Sequence, residues 1–498
     1  MSNGSSAAKT SSRETIVVAG ARGFVGRALL EALVDDYRVV GLSRSEASPD
    51  DAPPEVEWRA ADLFRLHELE RALEGADRAI YLVHSMQPSA RLVQGSFSDL
   101  DLLLADNFAR AAAKAGVRQI VYVGGLLPRD SAASPHLRSR AEVADVLGSR
   151  GVPVTALRAG IIVGPGGPSL WILLNLVRRL PFMVLPSWTE SRSHPIALVD
   201  VVRAVRCSLA APDRFAGVFD IGGATVLTYR EMMETVARVL HRRLYMLQVS
   251  LFSPRLSTLW VQVFGSAPAT LVAPLVRSLQ HDLVAEPNPL QAEIEAGALT
   301  FEEALAGSVD EARLPREPTS SIRLDPRSRA ELRESRRVRS VQRLPLPAGR
   351  TAEWAAAEYL RFLPTLWRPL IRAQLAAEGT AELGIIGIPW PLIVLRRSAE
   401  RSGPDRQVFD IVGGLLLRRG LAGEARFELR EVLGGSALIA AIHDYPPALP
   451  WRLYQWTQAW AHLWVMRAFG RHLSGSPAVA SAAARPPPGR APEAGGRG

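Results

Sequence analysis

The sequence predicts an α/β fold: a doubly wound parallel sheet with a small helical lobe, followed by a C-terminal α+β module with helices on an antiparallel sheet. Three observations predict it. The chain opens on an apolar run (Ile16, Val17, Val18), a glycine turn (Gly20, Gly23, Gly26) and a helical pattern through Leu33. Strand-like runs at 38–42, 56–59, 78–83, 119–123 and 154–157 then alternate with helical patterns, the spacing of parallel strands covered by helices on both faces. Beyond residue 338 the pattern changes to short apolar runs closed by a long helical segment.

The first unit carries the clearest motif. The first glycine of such a turn permits a tight reversal, the second lets the backbone approach a pyrophosphate, and the third lets helix and strand pack closely. The helix N–H groups then face the anion. Gly20, Arg22, Gly23, Phe24, Val25 and Gly26 are therefore candidate dinucleotide contacts, although the spacing is G-x-x-G-x-x-G rather than G-x-G-x-x-G. Arg44 follows the second strand, where a site for NAD usually carries an acidic residue and where an arginine accommodates a 2′-phosphate. With Arg22 in the turn, it favours NADP(H) over NAD(H), because guanidinium matches phosphate in a bidentate way.

The remaining elements follow in order. Residues 98–115 form the clearest helix, with Leu100, Leu103, Leu104, Phe108 and Ala111 on one face and Gly116 as its stop. Helical patterns at 229–241 and 301–306 belong to a substrate lobe, which also holds an uncharged stretch between Arg255 and Arg277. That stretch is long enough to span a bilayer, but Gln262, Pro268 and Pro274 break it into a helical hairpin. The expected organisation is a disordered 1–13, a nucleotide domain with its lobe at 14–306, a linker at 307–337, a C-terminal α+β domain at 338–473 and a disordered tail at 474–498.

In the C-terminal domain, residues 352–375 read as a helix, 392–395, 408–417, 425–430 and 437–443 as strands, and 449–472 as a long final helix. Trp456, Trp460 and Trp464 recur every four residues on that helix. The favoured reading buries this face on its own sheet, with a ligand-lining or membrane-facing stripe as the alternative. Leu383 to Leu395, containing Pro389-Trp390-Pro391, is the other candidate interaction element.

Composition narrows the classes. The 498 residues are 47% apolar, as in an ordinary globular protein, and the lone Cys207 rules out an intrachain disulfide and suits a reducing compartment. No charged-then-apolar leader opens the chain, so the expected location is cytoplasmic. The net charge of +9 is almost wholly arginine, and its one concentration, at 327–343, lacks the interleaved aromatics that stack on bases. Nucleic acid is therefore not an expected partner; a small hydrophobic ligand is, and peripheral membrane contact stays open. His84 and His194 have no partner at metal-ligand spacing, and neither a G-x-S-x-G elbow nor a P-loop lysine is present.

Several segments together carry a family resemblance. These are the glycine turn, Ala61-Asp62-Leu63, Tyr81-Leu82-Val83-His84-Ser85, the run from Leu157 to Pro165, and Pro195-Ile196-Ala197 with Asp200-Val201. With them the chain resembles the atypical short-chain dehydrogenase/reductases of the NAD(P)H-binding, NmrA-like type, which are similar also to the Rossmann-fold accessory subunit of respiratory complex I. The resemblance implies that Asp62 meets the adenine, that Leu63 beside it is a cofactor contact, and that Val83 and His84 line the cofactor. The C-terminal module resembles, less specifically, lipid-binding or uncharacterised domains fused to this reductase type in bacteria.

The departure from that family is as informative. Standard members place a serine after the fifth strand and a Tyr-x-x-x-Lys pair on the next helix, where lysine lowers the tyrosine pKa. Here that strand ends Tyr122-Val123-Gly124-Gly125, the corresponding i, i+4 pair is His136 and Arg140, and the only lysines are Lys9 and Lys114. Two readings follow. Either His136 is the acid/base, with a pKa near neutrality, while Arg140 holds the nicotinamide ribose or phosphate; or the site binds cofactor without turnover, as a redox sensor or assembly protein would.

Overall fold

The computed structural model describes residues 13–44, 52–84, 92–129, 133–249, 278–310, 314, 337–366, 371–376, 379–418 and 425–477. The expected hairpin of the lobe, most of the linker and both terminal segments lie outside the described residues. The chain divides into two compact units, one of residues 1–90 and 95–335, the other of 91–94 and 336–498.

The first unit is built on seven strands: β1 (Thr15–Ala19), β2 (Arg38–Ser43), β3 (Glu57–Ala60), β4 (Arg78–Tyr81), β6 (Ile120–Gly125), β7 (Val154–Ala159) and β12 (Gly217–Ile221). Their order is β12-β7-β6-β4-β1-β2-β3, and every pairing is parallel. The chain starts mid-sheet, runs outward through β2 and β3, then crosses back past β1 to β4. The strand order therefore reverses between β1 and β4, where an open α/β sheet leaves a crevice at its carboxyl edge. All five residues of β1 are buried, as a strand covered on both faces requires.

Helices α1 (Phe24–Leu33) and α6 (Leu198–Ala210) cover one face, through Leu29, Leu30, Val201 and Val205 against Ile16 and Val18. The helices α2 (Leu66–Ala72), α3 (Phe97–Lys114) and α4 (Pro135–Gly148) contact one another in turn. α3 matches the expected helix within a residue at each end; Ser96 caps it by accepting from the Asp99 amide, and Gly116, at φ +74°, releases the chain.

The helical lobe gathers α5 (Pro168–Arg179), α7 (Tyr229–Val239) and α9 (Phe301–Ala306) around Met232, Leu174 and Leu305. The helix α8 (Pro289–Glu295) instead packs beside α6. Capping boxes at Thr228/Glu231 and Thr300/Glu303 start α7 and α9. Three strand pairs complete the unit: β8 (Ile162–Val163) with β11 (Ile196–Ala197), β9 (Phe182–Pro186) with β14 (Tyr245–Val249), and β10 (Arg192–Ser193) with β13 (Leu227–Thr228).

The second unit is an eight-stranded sheet, β16-β17-β18-β19-β20-β21-β15-β5. Its members are β5 (Leu92–Gln94), β15 (Val338–Pro345), β16 (Ile371–Ala376), β17 (Thr380–Ile385), β18 (Ile393–Arg397), β19 (Arg406–Gly413), β20 (Arg426–Val432) and β21 (Ala437–Tyr445). All pairings are antiparallel except β15 with β5. Phe409, Phe427 and Leu429 form a core with Tyr359 and Phe362 of α10 (Ala352–Leu366) and Phe469 of the last helix. Side chains alternate on β20, so Arg426, Glu428 and Arg430 share the other face, also buried. There Glu428 takes Arg406 Nε at 2.5 Å and the Arg430 guanidinium.

Three features depart from expectation. The segment read as a helix over 352–375 ends at Leu366, two residues after Pro364, and resumes as β16, because proline removes a helical hydrogen bond and disfavours continuation. The final helix is two, α11 (Trp451–Trp456) and α12 (Gln458–Ser474), broken at Thr457 with φ −121° and ψ −80°. Trp456 and Trp460 are 84% and 63% exposed, so the reading that buried this face on the sheet fails: Met466, Phe469 and Leu473 fill the core instead.

Candidate active site

Every sequence-predicted site residue lies at the carboxyl edge of the parallel sheet or on a helix that starts there. Gly20 leaves β1 at φ +89°, and a Cβ there would press within 3.1 Å of Leu82 Cβ. The Gly23 amide donates to Gly20 O at 2.9 Å, closing the turn, and Gly23 caps α1 without a side chain. A Cβ on Gly26 would fall 2.3 Å from Gly20 O and 2.8 Å from Ala21 Cα. The turn is thus a cradle that only glycines leave open, with the amides of Phe24 and Val25 beginning the helix above it. No acidic residue stands in the first turn of α1, so its dipole faces the cradle uncompensated.

Cations flank this cradle. The Arg22 guanidinium lies 5.4 Å from the Trp58 ring, and burial together with Arg27 and Arg44 holds its pKa below the ordinary value. Arg27 Nε donates to Arg22 O at 3.3 Å, and Arg44 follows β2, the strand paired with β1. Gly41 makes room for Trp58, since a Cβ there would lie 2.9 Å from the indole. Next to β3, Asp62 Oδ1 accepts from the Phe64 amide at 3.1 Å, and Leu63 O accepts from Asn107 Nδ2 of α3 at 2.8 Å.

A second group lies past the crevice. Val83 and His84 follow β4, and the His84 ring is 6.2 Å from that of Tyr122 on β6. Tyr122 Oη donates to Arg140 O at 3.2 Å, which ties β6 to α4. Pro135 and the Ser134 cap start α4, and the i, i+4 spacing brings His136 and Arg140 to one face of it. The Arg140 side chain crosses the end of β6: a Cβ on Gly125 would be 3.3 Å from Arg140 Cδ. Arg140 Nε is buried and hydrogen-bonds to nothing among the described residues.

Burial, then Arg140, pushes His136 down to about 4, so the expected pKa near neutrality does not hold. Burial, then Arg140 and His136, pushes His84 well below its ordinary value as well. Both imidazoles are neutral at physiological pH. His194 is held on both ring nitrogens: its Nδ1 accepts from the Ala285 amide at 3.3 Å, so Nε2 carries the hydrogen donated to Gly223 O at 2.9 Å. It is a structural histidine. No group of His, Cys, Asp and Glu arranged for a metal occurs among the described residues.

Residues 20–164 match the NAD(P)H-binding family model. The chain carries an NAD(P)H-binding domain. Among curated proteins, it is 29% identical over 139 residues to the auxiliary protein GraX of Staphylococcus aureus, covering 28% of this chain and 42% of that one. It is 30% identical over 195 residues to the ceramide reductase of Caulobacter vibrioides, covering 39% and 59%. The chain thus spans about half the length of these relatives. Solved structures similar to it include a nucleoside-diphosphate-sugar epimerase from Staphylococcus aureus (17% identity, 59% of this chain, 99% of that one, TM-score 0.48). A triphenylmethane reductase from Citrobacter covers the same shares at 15% identity and TM-score 0.46.

The NAD(P)H-binding domain therefore brings its predicted residues together in two groups, the glycine turn with Arg22 and Arg44, and His84 with His136 and Arg140. Trp58, Arg27 and Tyr122 were not among the residues singled out. Gly41 opposite Trp58 in parallel strands was a usable signal; the position of Tyr122 beside Arg140 was not, because it depends on the packing of α4 against β6.

Proposed function

We propose that the protein is an NADP(H)-dependent reductase of a hydrophobic carbonyl compound. The observation that carries this reading is the pairing of a neutral His136 with Arg140 at the carboxyl edge of the sheet, where standard relatives hold their proton relay. Bound NADPH would supply the hydride that reduces a carbonyl carbon. The glycine cradle and α1 fit its pyrophosphate, and Arg22 and Arg44 fit a 2′-phosphate. Arg140, whose buried Nε is unpaired among the described residues, is placed to hold an anionic or polar oxygen. A neutral imidazole cannot deliver a stored proton, so His136 donates a hydrogen bond to the developing oxygen and the proton comes from water. The relative named a ceramide reductase supports a lipid-like substrate.

Calorimetric titration with NADPH and NADH, followed by NADPH consumption over a panel of long-chain ketones and aldehydes, tests this. The expected result is tighter NADPH binding and turnover that His136→Ala lowers on the order of 100-fold while leaving NADPH affinity intact. Tight binding with no turnover on any compound would replace the reductase by a non-catalytic NADP(H) sensor. Failure to bind either nucleotide would end both.

A further inference from the structure

One end of the antiparallel sheet differs from the rest of the surface. Three segments meet there: the connection from β17 to β18, the stretch after β19, and the stretch from β21 into α11. Backbone hydrogen bonds lace them together, with Leu415 N donating to Pro391 O (3.0 Å), Leu416 N to Leu392 O (3.1 Å), and Ala448 N to Leu416 O (3.0 Å). Tyr445 Oη also donates to Leu416 O at 2.6 Å. α12 begins at the same end, because His462 Nε2 lies 3.0 Å from Ser340 Oγ and Ser340 pairs with Ile442 near the close of β21.

Every exposed large apolar side chain of this unit, among the described residues, sits on these segments or on the first turn of α12. They are Ile386, Trp390, Leu415, Leu453, Trp456 and Trp460, the tryptophans 65%, 84% and 63% exposed. A patch of this kind on a folded unit marks an interaction site. Its charge identifies the occupant. No Asp or Glu occurs at 383–399, 411–423 or 445–477, while Arg372 and Arg418 stand at the rim, Arg372 Nη2 reaching Pro389 O at 3.4 Å and the Arg418 amide reaching Pro446 O at 3.0 Å. A second copy would set arginine against arginine. Tryptophans with prolines and arginines, and no acids, are instead the composition of an interface with anionic headgroups.

We infer that this end of the C-terminal unit docks on the surface of an anionic phospholipid bilayer, with Trp390, Trp456 and Trp460 entering the headgroup layer and Arg372 and Arg418 meeting phosphates. The docking is peripheral: no helix among the described residues is long and apolar enough to cross a membrane.

The test uses the full chain and vesicles of phosphatidylcholine alone or mixed with phosphatidylglycerol. Wild type is expected to sediment with the mixed vesicles, less with phosphatidylcholine and less as salt rises, with a blue shift of tryptophan emission. The triple variant Trp390→Ser/Trp456→Ser/Trp460→Ser should lower binding at least tenfold, and Arg418→Glu should weaken binding to mixed vesicles alone; unchanged circular dichroism shows both fold. Absence of binding to either vesicle, or binding equal in the triple variant, overturns the proposal. So does a dimer of wild type in size-exclusion chromatography that the triple variant converts to monomer while vesicles are ignored.

Discussion

The carboxyl edge of the parallel sheet and the loop end of the antiparallel sheet solve opposite problems. At the first, glycines remove side chains so that backbone amides and arginines face outward, and the histidines beside them are kept neutral by burial and a neighbouring guanidinium. At the second, large aromatics are pushed outward on a rigid frame of backbone hydrogen bonds, with cations at the margin. The difference teaches that exposure by itself says little. An exposed arginine beside a helix start and an exposed tryptophan beside a proline report different ligands because their surroundings differ in polarity.

The sharpest way to break the contrast is to fill the cradle. Gly26→Val would drive side-chain atoms into Gly20 O and Ala21, so nucleotide binding should vanish and the first unit should lose about 3 kcal/mol. Calorimetry and thermal melting followed by circular dichroism read both, and retained binding would show that the cradle does not hold the nucleotide. In the second unit the counterpart is Glu428→Gln, which leaves Arg406 and Arg430 without their buried carboxylate and should cost about 3 kcal/mol in urea unfolding, with nucleotide affinity unchanged.

Smaller effects sharpen the picture within the first site. His136→Ala should lower kcat on the order of 100-fold without moving the NADPH dissociation constant, the loss of one positioned donor group. An equal fall in both would make His136 a cofactor contact. Arg44→Ala should weaken NADPH about tenfold and leave NADH unaffected, as one guanidinium–phosphate contact predicts.

The remaining prediction concerns pH. Burial holds His462 at about 4 and His443 at about 3, against 6.5 when unfolded. Between these values the unfolded chain binds more protons, so the stability is complete above about pH 6.5 and declines as pH falls toward 4. Melting temperatures taken across that window should drop with acid, and His462→Gln should flatten the slope. A slope unchanged in that variant would place the titration elsewhere.

Legibility differed between the units. The strands of the parallel sheet could be read closely, because a strand buried on both faces must be an uninterrupted apolar run, and Ile16–Ala19 of β1 and Val39–Leu42 of β2 are such runs. The antiparallel unit was read less well. Its β16 lay inside a stretch with helical period, and β5, three residues long, comes from the other half of the chain to pair with β15. A three-residue strand has no local signature, since its pairing energy comes entirely from a partner over 240 residues away. The neutrality of His136 was likewise unreadable, because it depends on how deeply α4 is packed and how near Arg140 comes.

By itself, then, the sequence determined what is set by local chemistry: the glycine cradle, the alternating strands and helices, the missing serine and tyrosine–lysine pair, and the arginines that follow the first two strands. Tertiary structure decided what depends on non-local neighbours. It set the protonation of His136 and His84, carried β5 into the second sheet, and turned Trp456 and Trp460 outward. That last outcome follows from the break at Thr457 and from Met466, Phe469 and Leu473 already filling the core, so the regular spacing of the tryptophans marked a helix face without saying which way it would point.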